Sequence, residues 1–446
     1  MTKFQISIVT ELNSDRLNYC LEYLFSDIKN VYWSTHLPKD EITADLYIKY
    51  GGKGSEKFQL WIPSSDYLKS GYMNSRLELS ALVFENLFVA IDDHRSACEF
   101  DFIGAIFFFL SRMEEYEYES LDPYDRFSAF DSTLHRIEMD FTAVVDRWKR
   151  EWHEVLLNFL PELQMRSKMP SVMASCDVDS VFAYRGKNWV QLIGGGMKEA
   201  LQFKFDQLST RFKWAVGKSK DPFDTLDILL KRAAECNSSL LCFFLCPEEV
   251  LHSEDRSGEL LKGLTAQWFE KYKTRVIPGL HPSLSAGDKS DRILGEKKIL
   301  EGLWNQTVEN SRQHYLRMSL PDTYRALLKC GIKRDYSMGF YDQPGFRAGT
   351  SRPFFWYDIQ NEEKTDLLIH PLVLMDVSLK KYLALDKGQA IEIIEILLRE
   401  IKDTNGIFSY LWHNSSISDL DGWAGWRFVL GELIVRANEI LELPKQ

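Results

Sequence analysis

The stretch SVMASCDVDS, residues 171–180, decides how this chain is read. It is a short apolar run that ends in two aspartates, Asp177 and Asp179, with one residue between them. On a strand, residues two apart point to the same side, so both carboxylates would share one face. A strand's C-terminal end is where α/β sheets and barrels keep their chemistry. The run has companions: LLCFFLCP (240–247), TRVIPGLHPS (274–283), DLLIHPLVLMD (366–376) and GIFSYLWHN (406–414) are also strand-like. Helix-like segments, DPFDTLDILLKRAAECN (221–237) and SDRILGEKKILEGLWNQT (290–307), lie between them. Repeated strand-then-helix spacing predicts a parallel sheet or barrel.

Upstream the alternation continues on a smaller scale. KFQISIVT (3–10) reads as a strand and SDRLNYCLEYLFSDI (14–28) as an amphipathic helix with Ser14 as its N-cap. ADLYIKYGG (44–52) and KFQLWIPSS (57–65) read as strands split by a Gly-Gly turn. FDFIGAIFFFLSR (100–112) is too short to span a bilayer and reads as a buried helix. Residues 132–160 end in a long helix. The stretch LPELQMRSKMPSV (160–172), with two prolines, reads as a linker. The expected organisation is α/β throughout: a smaller domain over 1–165 with its own core, then a larger one over 166–446.

The bulk numbers narrow the function. The 446 residues are 45% hydrophobic, ample for a large core, and the net charge is −11. That balance argues against a nucleic-acid surface, which needs clustered Lys and Arg. Seven cysteines, with no CxxC spacing, exclude a zinc ribbon and a disulfide framework. With no apolar signal segment and no run of about 20 apolar residues, the expectation is a soluble, cytoplasmic protein.

Several strand-like runs end in useful side chains: Asp177 and Asp179, His281, and His413. Singly, each has a plain structural reading as a turn or cap residue. Together they mark the mouth of a barrel. SRQHYLR (311–317) adds Arg312, suited to orient an aspartate by a charge-assisted bond, and His314. The aromatic-rich stretch 334–358 is long for a structureless loop and offers stacking faces for sugar rings. A carboxylate and one or two imidazoles can hold a divalent metal. A second carboxylate can take the proton of an attacking water, and a distant histidine can protonate the leaving group. That is amide or ester hydrolysis. A glycoside hydrolase using Asp177 and Asp179 as its acid/base pair is the rival chemistry.

The second half resembles the polysaccharide deacetylase family (carbohydrate esterase family 4, the NodB-homology domain). SCDVDS stands at that family's Asp-Asp motif, with Val178 interposed. HPSLS (281–285) stands at the His motif, RQHY (312–315) at the Arg motif and YLWHNSS (410–416) at the last His motif. DVDSVFAY, GLHPSLSAG, SRQHYLR, GFRAGTSRPF, LMDVSL and LWHNSS are similar to the phrases of a Bacteroidetes-type subgroup. Residues 107–127 resemble the domain of unknown function that precedes the deacetylase-like domain there.

The resemblance implies a distorted, incomplete (β/α)7-type barrel. It implies Asp177 as base, Arg312 as its orienting partner and His413 as the acid. Asp179, His281 and Ser285 would hold a divalent metal, with zinc the expected ion. Ser285 stands where a second histidine is usual, so His314 or a water would complete the shell. Asp335, Arg347 and Asp376 are the supporting candidates. The implied function is metal-dependent removal of acetyl groups from an N- or O-acetylated sugar or polysaccharide precursor. The alternative is a metal-free carbohydrate-binding or assembly protein on the same barrel.

Overall fold

The computed structural model describes residues 3–37, 43–52, 57–78, 87–92, 94–119, 122–264 and 266–444. The first sheet has six strands: β1 (Phe4–Val9), β2 (Val31–His36), β3 (Leu46–Tyr50), β4 (Leu60–Ile62), β5 (Phe88–Asp92) and β6 (Arg95–Cys98). Their order is β2-β1-β3-β4-β6-β5, parallel except for the β5–β6 hairpin. Helix α1 (Asp15–Phe25) carries the chain from β1 to β2, and the Ser14 hydroxyl caps it by accepting from the Arg16 amide. Helix α2 (Phe102–Ser111) is buried along its whole length. That explains its sequence, since a helix apolar on every side must be covered on every side. Helix α3 (Val144–Phe159) ends this half.

The second sheet has nine strands: β7 (Ser171–Val178), β8 (Leu240–Leu245), β9 (Val276–His281), β10 (Asn310–Ser311), β11 (Arg334–Asp335), β12 (Phe354–Asp358), β13 (Glu363–Ile369), β14 (Leu374–Met375) and β15 (Ile407–Leu411). They run β14-β15-β7-β8-β9-β10-β11-β13-β12, and every neighbouring pair is parallel except β12–β13. The order is that of a barrel-type parallel sheet, and among the described residues no ladder joins β14 to β12. Strand β8, LLCFFL, is buried at all six positions, as a central parallel strand covered on both faces should be.

Six longer helices accompany this sheet: α4 (Trp189–Leu201), α5 (Phe205–Ala215), α6 (Leu226–Glu235), α7 (Ser290–Trp304), α8 (Lys387–Thr404) and α9 (Arg427–Ile440). Helix α6 starts later than its sequence suggests. The Asp221 carboxylate accepts instead from the amides of Ala183, Tyr184 and Arg185, so it anchors the loop after β7.

One continuous cluster of buried side chains runs through both halves. The cause is α2, whose apolar surface extends beyond what the first sheet covers; Phe107 meets Tyr357 of β12 edge-on, with ring centroids 5.1 Å apart. Buried ion pairs add to the joint. Arg347 binds Glu115 through two bonds of 2.8 and 2.6 Å, and Arg16 binds Glu362. All seven cysteines are buried. Among the described residues no helix is long and apolar enough to cross a membrane.

Candidate functional site

The chemistry-bearing residues gather at the C-terminal ends of the second sheet. Asp177 lies at the end of β7 and Asp179 just beyond it. His281 is the last residue of β9, Arg312 and His314 follow β10, Asp376 follows β14, and His413 follows β15. Asp177, Asp179, His281, His314 and His413 line a cavity of about 150 Å³, together with Tyr315, Tyr382 and Trp423.

Asp177 is held by Arg312, whose Nη1 donates to Asp177 Oδ1 at 2.9 Å. The guanidinium is fully buried. It also donates to the Ser175 hydroxyl and to the Tyr336 carbonyl, each at 2.9 Å, and lies 4.4 Å from the centre of the Phe243 ring. Three bonds and a ring face fix its orientation, and with it that of Asp177.

Asp179 has three imidazoles around it. His281 Nε2 is 3.3 Å and His314 Nε2 3.8 Å from its Oδ1, while His413 Nε2 is 3.9 Å from its Oδ2. Each ring is turned by a partner on its other nitrogen. His281 Nδ1 donates to the Arg312 carbonyl at 2.6 Å, which fixes the tautomer. His314 Nδ1 lies 3.4 Å from Asp255 Oδ1, and His413 Nδ1 lies 2.8 Å from Asp376 Oδ1. Such outer partners aim the remaining nitrogen inward and raise its basicity.

Burial alone would raise the Asp179 carboxyl. The His281 hydrogen bond, with the charges of His314 and His413, instead holds it well below the usual carboxylate range. A carboxylate held that low has no proton to give, which tells against Asp179 as a glycosidase acid. For His413, burial would lower the imidazole, but the charge and hydrogen bond of Asp376 raise it to about 9. His281 is likewise raised, against its burial, by Asp177 and Asp179.

One donor atom each from Asp179, His281 and His314 lie within 4.8 Å of one another. Donors about 2.0–2.2 Å from a tetrahedral ion sit about 3.3 Å apart, so the set fits one ion with a position left for water or substrate. Ser285, expected as a ligand, bonds to a carboxylate beside this group. Its hydroxyl and amide both donate to Asp255 Oδ2, at 2.5 and 2.9 Å. It thereby braces the carboxylate that orients His314.

Residues 6–161 match the model of a family of unknown function, DUF7033. No curated protein matches this chain. Among solved structures, a protein from Mycobacterium smegmatis assigned as a polysaccharide deacetylase is 13% identical, with 61% of this chain and 86% of that one covered and a TM-score of 0.38. A 4-alpha-glucanotransferase from Thermococcus litoralis is 15% identical, with 63% of this chain and 38% of that one covered and a TM-score of 0.37. The carbohydrate deacetylase Agd3 is 7% identical, with 99% and 87% covered and a TM-score of 0.34. Likenesses this loose leave the chemistry to be read from this chain's own side chains.

Of the supporting candidates, Asp376 reaches the site through His413. Asp335 accepts from Ser311 and Ser337, and so ties β10 to the loop after β11. Arg347 stands away from the cavity and joins the two halves. The sequence reading missed Asp255 and Arg126. Arg126 comes from the N-terminal half, lines the cavity and lies 3.6 Å from the centre of the Tyr341 ring. The reading also missed the backbone beside His314: Tyr315 and Leu316 hold φ of 62° and 56°. Two successive non-glycine residues in the left-handed region are strained, and such strain clusters at functional sites.

Proposed function

We propose that this chain is a metal-assisted hydrolase that removes acetyl groups from an N- or O-acetylated sugar. The observation that carries the reading is the Asp179–His281–His314 cluster beside an Arg312-held Asp177. A divalent ion held there would polarise the acyl carbonyl and acidify a water. Asp177, fixed by Arg312, takes a proton from the attacking water through its outer oxygen. Asp376 holds His413 with its Nε2 facing the cavity, charged and ready to hand a proton to the departing nitrogen or oxygen. Tyr315, Tyr382 and Trp423 give the sugar ring aromatic faces, and the small cavity suits a short acyl group.

The test is acetate release from N-acetylated and O-acetylated oligosaccharides by the full chain, with and without added Zn²⁺ after chelation. Release that falls with the chelator and returns with the ion supports the reading. Zn²⁺-loaded protein that binds these oligosaccharides yet frees no acetate favours a carbohydrate-binding protein instead.

A further inference from the structure

Between Asp179 and α6 the chain inserts the helical pair α4 and α5, and neither helix has a buried residue. The pair is nonetheless a defined unit. Arg211 of α5 donates to Glu199 of α4 at 2.8 Å, and Gly195 and Gly196 let the helices approach, since a Cβ at Gly195 would lie 2.8 Å from the Arg211 guanidinium. Arg211 also lies 4.5 Å from the centre of the Tyr184 ring, which fastens the pair to the body. The outer side is apolar. Trp189, Ile193, Met197 and Leu201 follow one another every fourth residue on α4, and Phe205 and Phe212 share a face of α5; these six are 56–78% exposed. A stripe of this width on a surface helix ordinarily faces a core, and an exposed apolar patch of this extent marks an interaction surface.

Charge identifies what covers it. Residues 185–220 hold eight Lys and Arg against two Asp and Glu, in a chain whose net charge is −11. Lys198, Lys204 and Lys213 are all exposed. A two-fold contact between copies sets the same patch against itself, so this cationic rim would repel its own image. Aromatic and aliphatic residues within a Lys/Arg rim are instead the composition of helices that lie in the headgroup region of a bilayer. At about 20 Å, α4 is too short to span the ~30 Å hydrocarbon core. We infer that the α4–α5 hairpin docks this chain on the surface of an anionic phospholipid bilayer. The inference stands independently of the proposed hydrolysis.

Co-sedimentation of the full chain with vesicles tests it. The chain should sediment with vesicles of equal phosphatidylcholine and phosphatidylglycerol at low salt, and far less with phosphatidylcholine alone. Ile193→Glu with Phe212→Glu should abolish sedimentation. Lys204→Gln with Lys213→Gln should weaken it about 25-fold, fivefold for each cation lost, and this pair leaves the apolar packing untouched. A chain that stays in the supernatant with the phosphatidylglycerol vesicles overturns the proposal. So does undiminished sedimentation of the Lys pair. A dimer in solution that Ile193→Glu with Phe212→Glu splits assigns the face to a second copy and also overturns it.

Discussion

Asp177 and Asp179 leave the same strand two residues apart and meet different partners. Asp177 faces a guanidinium, and Asp179 faces three imidazoles. The difference gives each a separate signature. Asp177→Asn keeps the Asp179 cluster, so metal affinity should hold while turnover falls about 10²–10⁴-fold, the usual contribution of a positioned base. Asp179→Asn replaces an anionic donor, so metal affinity itself should fall; titration calorimetry beside acetate release reads both, and the opposite pattern would exchange the roles. His413→Ala should slow cleavage of an amide more than that of an activated ester, whose leaving group needs no proton. Equal slowing on both substrates would remove His413 as the acid. That the pair of aspartates, His281, Arg312 and His413 lie at strand ends was legible in the sequence, because each closes an apolar run within a distinct phrase. The part played by Ser285 was not. Its spacing from His281 matches a ligand position, but its hydroxyl turns to Asp255, a residue from a distant segment that no local pattern ties to it.

Elements with a long period were legible and very short ones were not. β1, β7, β8, β9 and β15, and helices α1, α2, α3 and α7, stand where their apolar spacing places them. β10, β11 and β14 are two residues each, too short to show alternation, and Arg312, Asp335 and Asp376 lie on or beside them. Their pairing is set by neighbouring strands and not by propensity. The loop after β9 is fixed from behind by α7. Glu296, almost fully buried, accepts from the Ser283 amide at 3.0 Å and from its hydroxyl at 2.5 Å. Burial outweighs those bonds and pushes its carboxyl from 4.5 up to about 7. Between those values the folded state holds the extra proton, so this group's contribution is complete at low pH and is lost as pH rises toward 7 and beyond. A shift of that size corresponds to on the order of 3 kcal/mol. Glu296→Gln should remove that part of the slope. Urea unfolding of both proteins at pH about 4.5 and about 7.5 checks it, and an unchanged difference between the two would show that Glu296 does not titrate in this window.

Over the whole molecule, the two sheets were legible as two alternating patterns, but the joint between them was not. It rests on pairs more than 200 residues apart, such as Arg347 with Glu115 and Thr350 with Asp146. Sequence spacing carries no signal for such contacts. Because the buried core is continuous, calorimetry should record one unfolding transition; two resolved transitions would mean that the halves unfold independently. Arg347→Met leaves Glu115 short of one cation in a buried place. It should cost about 3 kcal/mol, the lower end for breaking a buried pair because Arg112 remains. Asp179, His281 and His314 are proposed to form one metal site. Its most direct test is Zn²⁺ titration of the chelator-stripped full chain alongside His314→Ala and Ser285→Ala. The native protein should bind one ion per chain, His314→Ala should lose tight binding, and Ser285→Ala, which loses only support for His314, should keep the stoichiometry and bind about tenfold more weakly. Unchanged binding in His314→Ala, or no tight binding by the native chain, would contradict it.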